Sequence, residues 1–239
     1  MRPIRVVIPF KLDCAKSRLS TVLSTVERER LALAMLEDVV DAVSGLGTVT
    51  ILLKSPLPGG GVLEDKISGA GKRSGIEVLD SPKELDEALN LVIEAEERKG
   101  WPGDLLIAMA DLPLMSPSDI ADLVRTPGDV VIAPGRGGGT NIILIRDPRF
   151  RVCYYGLSFL KHLRRAEELG LSVGVFESFR CSIDIDEPSD LVEALIHGRG
   201  RTPELLRDMG FELSGKRSKS RVGCLRLEGA SRKGPARRS

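Results

Sequence analysis

Apolar and polar residues follow two rhythms along this chain. Short, dense apolar runs have the length and β-branched content of strands: "IRVVIPF" (Ile4–Phe10), "TVTILL" (Thr48–Leu53), "IEVLD" (Ile76–Asp80), "GDLLIAMAD" (Gly103–Asp111), "DVVIAP" (Asp129–Pro134) and "TNIILI" (Thr140–Ile145). Strands this uniformly apolar are expected where both faces of a sheet are covered, as in parallel α/β sheets. Between them, apolar residues recur at helical spacing. Leu36, Val39, Val40 and Val43 form one such stripe, which Ser24 and Glu27 open as a capping box and Gly45 and Gly47 close. Ser81, Pro82 and Glu84 predict a second helix running to about Lys99, with Ser81 as its N-cap. "LMSPSDIADLV" repeats the Ser-Pro start, and "LSFLKHLRRAEELG" reads as a helix closed by Gly170. "LSVGVF" and "CSIDID" read as short strands, and "EPSDLVEALIHG" as a late helix opening at Glu187.

Strands and helices alternating in this way predict a three-layer α/β/α domain with a mostly parallel central sheet, in which ligands gather at the carboxyl ends of the strands. Lys54 to Gly75, dense in Gly and Pro, reads as an irregular excursion. Its "GAGKRS" is not a P-loop, because Arg73 rather than Ser or Thr follows Lys72 and the first Gly is missing. No Gly-x-Gly-x-x-Gly follows the first strand, which argues against a dinucleotide-dependent dehydrogenase.

Composition narrows the picture in three ways. Aromatic residues make up only 4% of the 239, so the core must be aliphatic. Cys14, Cys153, Cys181 and Cys224 contain no Cys-x-x-Cys, which favours free thiols in a reducing cytoplasm over disulfides or zinc. The opening "RVVIPF" is cut by Lys11, too early for a signal peptide or a membrane span, so a cytoplasmic protein with no membrane partner is expected. The net charge of +1 hides an asymmetry: residues 214–239 hold nine Lys/Arg and one Glu, leaving residues 1–213 acidic. The expected organisation is one domain over 1–213 and a basic, largely disordered tail over 214–239, with one short strand in "RVGCLRLEG". Such a tail could touch nucleic acid, but it has no aromatic residue for stacking a base, which favours a solubilising extension.

Candidate chemistry concentrates where strands end. "MADLP" delivers Asp111 to the carboxyl edge of the sheet, and in "IDIDEP" the two-residue spacing puts Asp184 and Asp186 on one face. Converging carboxylates repel by roughly 4 kcal/mol at ~4 Å, and a divalent cation such as Mg2+ removes that cost. Asp111 and Asp184 are the expected ligands, Asp186 being read as the cap of the helix at Glu187. In "PFKLDCAKSRL", Lys11, Lys16 and Arg18 could meet a polyanion lying over the first strand. "PGRGGGTN" joins strand to strand, so it is no helix-dipole phosphate cradle. Its glycines suit a backbone that closes on a small acid, with a simple hairpin turn as the other reading.

These segments occur in a recognisable order: "IPFK" and "AKSRLS", "MADLPLMSP", "PGRGGGTN", "YYGLSFLKH" and "DIDEPSDL". In them the chain resembles the archaeal 2-phospho-L-lactate guanylyltransferase family of coenzyme F-420 biosynthesis, over roughly residues 3–212. The resemblance implies the nucleotide-diphospho-sugar transferase-like (Rossmann-like) fold, GTP and 2-phospho-L-lactate as substrates, and a homodimer. It further implies that Lys11, Lys16 and Arg18 meet the triphosphate, with Lys16, Arg18 and Asp111 catalytic. Asp111 and Asp184 would hold the metal, and Gly139, Thr140, Asn141, Gly156 and Ser158 the phosphorylated three-carbon acid. Asp86 falls near the nucleotide, as a partner for the guanine edge or as a solvated helix acid; His162 is expected on an exposed helix face. Phosphoenolpyruvate or another phosphorylated acceptor is the nearest alternative. A non-catalytic nucleotide- or RNA-associated protein is a more remote one.

Overall fold

The computed structural model describes residues 2–12, 16–54, 75–214 and 223–226, the last four as backbone only. Seven strands hydrogen-bond in the order β3-β2-β1-β4-β6-β5-β7. β1 (Ile4–Phe10) lies between β2 (Val49–Lys54) and β4 (Asp104–Ala108), parallel to both, and β3 (Ile76–Ser81) flanks β2. β6 (Thr140–Ile145) runs antiparallel to β4 and to β5 (Val130–Pro134), and β7 (Val173–Val175) runs parallel beside β5. Because β6 is reversed, its first residue, Thr140, sits at the same edge as the carboxyl ends of β4 and β5. That reversal brings the Gly-rich connection to the ligand edge.

Side-chain alternation divides the core between the two faces. Val6, Ile8, Leu106 and Ala108 pack against α1 (Thr25–Val43) and α3 (Pro117–Arg125). Val7, Leu105 and Ile107 pack against α2 (Leu85–Arg98) and α4 (Ser158–Glu168). The expected three layers are therefore present. A third apolar cluster joins Leu31 and Met35 of α1 to Ile183, Ile185, α6 (Asp190–His197) and α7 (Arg201–Asp208). Each such fully buried aliphatic side chain stabilises the fold by about 1.5–3 kcal/mol. β8 (Phe211–Ser214) pairs antiparallel with β9 (Gly223–Arg226), so a strand forms within "RVGCLRLEG". The excursion at 55–74 and residues 227–239 lie outside the described residues. Among the described residues no helix is long and apolar enough to cross a membrane.

Local signals place two of the long helix starts. Ser24 with Glu27, and Ser116 with Asp119 behind Pro117, form complete capping boxes. Three expectations need correction. Ser81 does not cap α2; it is the last residue of β3, paired with Lys54, and the N-cap is Glu84, without a side-chain bond. "CSIDID" is not a strand, because Ser178 caps a short helix, α5 (Phe179–Ser182), and Ile183 to Asp186 make a single backbone bond to β4's extension, from Ile185 N–H to Asp111 O at 3.1 Å. The late helix starts at Asp190 rather than Glu187.

Candidate functional site

Lys16 lies at the amino end of a 3-10 turn (Ser17–Thr21) with φ 54° and ψ 46°, a left-handed conformation that costs a non-glycine residue free energy. That conformation accompanies a defined contact. The Lys16 ammonium lies 2.6 Å from Asp111 Oδ2 and 2.6 Å from Asp186 Oδ1. Its side chain is only 11% exposed, against 26% for Asp111 and 38% for Asp186. Burial pulls the ammonium's pKa down, but the two carboxylates outweigh it and the net shift is upward. Neutralisation of the converging acids, expected of a metal, is performed in this structure by a lysine.

The trio lies in a cleft of ≈ 390 Å³ whose lining also includes Lys11, Arg18 and Met109. Arg18 is loosely held, 3.8 Å from Asp186 and 3.9 Å from Glu187, with a 69% exposed side chain that can turn toward an arriving anion. Lys11 is exposed and lines a second cleft as well, of ≈ 270 Å³. The two clefts share Pro9, Phe10, Lys11 and Met109 and so form one trough over the ends of β1 and β4. In the second, Leu52, Leu53, Leu85 and Ala88 make an apolar slot, with Lys54 and Glu84 paired at 2.6 Å beside it. That hydrogen bond to Lys54 lowers the Glu84 pKa. An apolar slot continuous with a cationic cleft suits a planar ring attached to a polyanion.

The acid segment is placed by backbone bonds. Ile183 and Ile185 are fully buried, so Asp184 and Asp186 face the other way, as the alternation predicts. Asp186 does not cap the late helix, which removes the reason for preferring Asp184. The N-cap of that helix is Ser189, which makes no side-chain cap bond; Asp190, the first helical residue, instead accepts from Asp186 N–H at 3.0 Å and Glu187 N–H at 2.7 Å, while its other oxygen accepts from Arg136 at 2.7 Å. Asp184 is absent from the lining of both clefts; burial, and then the nearby Asp111, raise its pKa. No motif in the sequence singles out Asp190 and Arg136. The available signal was an acid following Asp186 by one helical turn.

The Gly-rich connection is a tight hairpin, with Gly135 N–H bonded to Gly139 O at 3.0 Å and Gly138 at φ 78°. A Cβ on Gly135 would lie 2.5 Å from Asn141 Oδ1, so any other residue there would displace the buried Asn141 side chain. The structure brings Thr140 and Ser158 together: Thr140 N–H donates to Ser158 Oγ at 2.8 Å. Gly156, at φ 73°, turns the chain just before Ser158. Asn141 is turned inward, its amide donating to Cys181 O at 2.9 Å. Two further expectations change. His162 is not exposed but fully buried, bonded to Thr140 Oγ1 and to Cys153 N–H at 2.9 Å each. Asp86 lines neither cleft; its carboxylate accepts from Tyr154 N–H at 2.6 Å and ties α2 to the segment ahead of Ser158. Of the four cysteines, Cys153 and Cys181 are free, as expected, and burial pushes the Cys181 thiol up to about 12.

Comparison with known proteins adds relatives to this geometry. Residues 4–226 match the sequence profile of a family described as guanylyl transferase CofC like. A 2-phospho-L-lactate guanylyltransferase of Methanothrix thermoacetophila is 47% identical over 213 residues, 89% of this chain and 92% of that protein. One from Archaeoglobus fulgidus is 40% identical over 88% of this chain and 93% of its own length. Among solved structures, a proposed nucleotide-diphospho-sugar transferase of Desulfovibrio desulfuricans superposes with a TM-score of 0.69 at 16% identity, covering 87% of this chain and 95% of that one. A cytidylyltransferase from Leptospira borgpetersenii gives 0.52 at 12% identity, covering 87% and 93%. At these identities the likeness shows the fold alone: the nucleotide-diphospho-sugar transferase fold.

Proposed function

Because the chain belongs to the CofC-like guanylyl transferase family, we propose that its trough condenses GTP with 2-phospho-L-lactate to lactyl-2-diphospho-5'-guanosine and pyrophosphate, a step of coenzyme F-420 biosynthesis. The observation that carries the reading is the Lys16 ammonium clasped by Asp111 and Asp186 on the wall of a cationic cleft that continues into an apolar slot. The base would lie in the slot over Leu52 and Leu53, and the triphosphate would run past Lys11 toward Lys16 and Arg18.

An oxygen of the acceptor's phosphate attacks the α-phosphorus of GTP; that P–O bond forms as the bond to the β-phosphate oxygen breaks, and pyrophosphate leaves. The attacking group is already anionic, so no Ser, Cys or His nucleophile is needed. The protein's part is to align two anions that repel and to offset charge where it builds up. Lys11 and Arg18 are placed to take the departing pyrophosphate, and Lys16 the phosphate at the reacting centre. Thr140 and Ser158 present hydroxyls at the acceptor side.

The pair Asp111 and Asp186 fits a hard divalent cation such as Mg2+, because both already converge on one cation; among the described residues no third acidic, His or Cys side chain joins them, so phosphate oxygens and waters would complete the shell. These carboxylates would hold it, and when bound it supplies further positive charge to the phosphate oxygens. Displaced from the acid pair, the Lys16 ammonium would be free to turn to phosphate. The test is product identification by mass spectrometry, with 2-phospho-L-lactate and phosphoenolpyruvate compared as acceptors at equal GTP. The higher kcat/KM is expected for 2-phospho-L-lactate; a preference for phosphoenolpyruvate would reassign the acceptor within the same chemistry. The homodimer carried by the family resemblance is checked by light scattering on the purified protein.

A further inference from the structure

The buried bond network behind Thr140 fixes which way its hydroxyl proton points. Cys153 N–H lies 2.9 Å from His162 Nε2, and a backbone N–H can only donate, so Nε2 is the unprotonated nitrogen. The proton of the neutral ring is then on Nδ1, and Nδ1–H must be the donor in its 2.9 Å bond to Thr140 Oγ1. Thr140 Oγ1 thus accepts from the imidazole, and its own proton has no protein acceptor among the described residues. Ser158 is arranged in the same way: its Oγ accepts from Thr140 N–H at 2.8 Å, which leaves its O–H proton free to donate. Both residues are almost completely buried, at 3% and 2% exposure, beside the half-buried Gly139. A buried hydroxyl proton with no acceptor is costly unless a ligand supplies one.

We infer that His162 is a positioning residue for acceptor recognition: by donating Nδ1–H to Thr140 Oγ1 it obliges Thr140, alongside Ser158, to act as a donor to an anionic oxygen. The inference rests on the proposed place of Thr140 and Ser158 on the acceptor side. It explains why a histidine is buried on the inner face of α4 with both ring nitrogens engaged and no contact with either cleft. The same preset polarity selects a carboxylate or phosphate oxygen and rejects a group that can only donate.

Two substitutions separate this role from packing. In His162→Asn the amide falls near the Nδ1 position and can still donate to Thr140; in His162→Gln it falls near Nε2 and can accept from Cys153 but not serve Thr140. The expected result is that His162→Gln raises KM for 2-phospho-L-lactate roughly tenfold or more, the effect of losing one hydrogen bond to a charged group. KM for GTP should stay unchanged, and His162→Asn should lie close to wild type. In a Thr140→Val background, His162→Gln should add nothing. Equal effects of Asn and Gln, or a parallel rise in KM for GTP, would overturn the proposal. The wild type also gives a direct reading, because the chain has only two histidines. Nitrogen-15 NMR should find one imidazole protonated at Nδ1 and perturbed by 2-phospho-L-lactate. Protonation at Nε2, or no response to 2-phospho-L-lactate, would overturn the proposal even if the variants fail to fold. A wild type that transfers no guanylyl group to any phosphorylated three-carbon acid overturns the parent reading and this one with it; an active wild type with the wrong KM pattern overturns this one alone.

Discussion

At the scale of single residues, the site depends on groups whose neighbours fix their charge. Asp111 faces Lys16 across 2.6 Å at the edge of a cleft and contributes no apolar packing. Asp111→Asn is therefore expected to lower kcat by roughly a hundredfold or more while barely moving Tm; an unchanged kcat would remove Asp111 from the machinery. His162 gives a pH signature. Burial lowers its pKa to about 4 from the ordinary 6.5, so the unfolded chain takes up a proton before the native protein does. Its contribution to stability is complete above pH 6.5 and is lost as pH falls toward 4, a change on the order of 3 kcal/mol. Urea unfolding across that range should show the loss in wild type and a flatter profile in His162→Gln. Sequence alone could not reveal this residue, because "SFLKHLRR" surrounds it with cations. It is buried because α4 turns that position onto Phe150 and Tyr154, whose ring centroids lie 5.9 and 5.2 Å from the imidazole.

At the scale of elements, the acid segment between α5 and α6 is held by one side chain. Asp190 accepts two backbone N–H groups and pairs with Arg136 of the Gly-rich hairpin, so it fixes the loop carrying Asp186 and joins it to the loop carrying Thr140. Asp190→Ala should cost about 2–4 kcal/mol of stability and also reduce kcat, whereas Asp190→Asn, which keeps one accepting oxygen, should lose less of both. A kcat unaffected by Asp190→Ala would mean that Asp186 needs no such support. Asp111 could be placed from sequence because a strand that ends on an acid and then Pro must leave the sheet there. The choice between Asp184 and Asp186 could not, since the helix begins three residues later than its acid-Pro signal suggests, with Ser189 as N-cap, and Asp186 is left free of any capping role. Only the fold, which seats Ile183 and Ile185 in the third core cluster, decides that. The capping boxes at Ser24 and Ser116 were legible because both partners lie within one turn of chain. Ser81 misled because the same Ser-Pro signal serves a strand end when a neighbouring strand reaches it.

For the whole molecule, the order of elements through α4 was readable from periodicity, whereas the short helix α5 was read as a strand; the ligand edge was readable too, because a mostly parallel sheet places its strand ends together. The reversed β6 depends on long-range pairing with β4 and was not readable, although it is what brings Thr140 to the sheet edge where β4 ends. The chain's charge separates an acidic body from a basic end. Ending the chain after Arg226 keeps β9 and is expected to leave kcat and both KM values unchanged; a loss of activity would give the final thirteen residues a part in the reaction. The central claim is that the cleft at Lys16, Asp111 and Asp186 transfers a guanylyl group to a phosphorylated three-carbon acid. Its most direct test is pyrophosphate release by the purified full chain supplied with GTP, Mg2+ and 2-phospho-L-lactate. Steady release that requires all three and collapses in Asp111→Asn is expected; no release with 2-phospho-L-lactate or phosphoenolpyruvate would mean that this cleft does not carry guanylyl transfer.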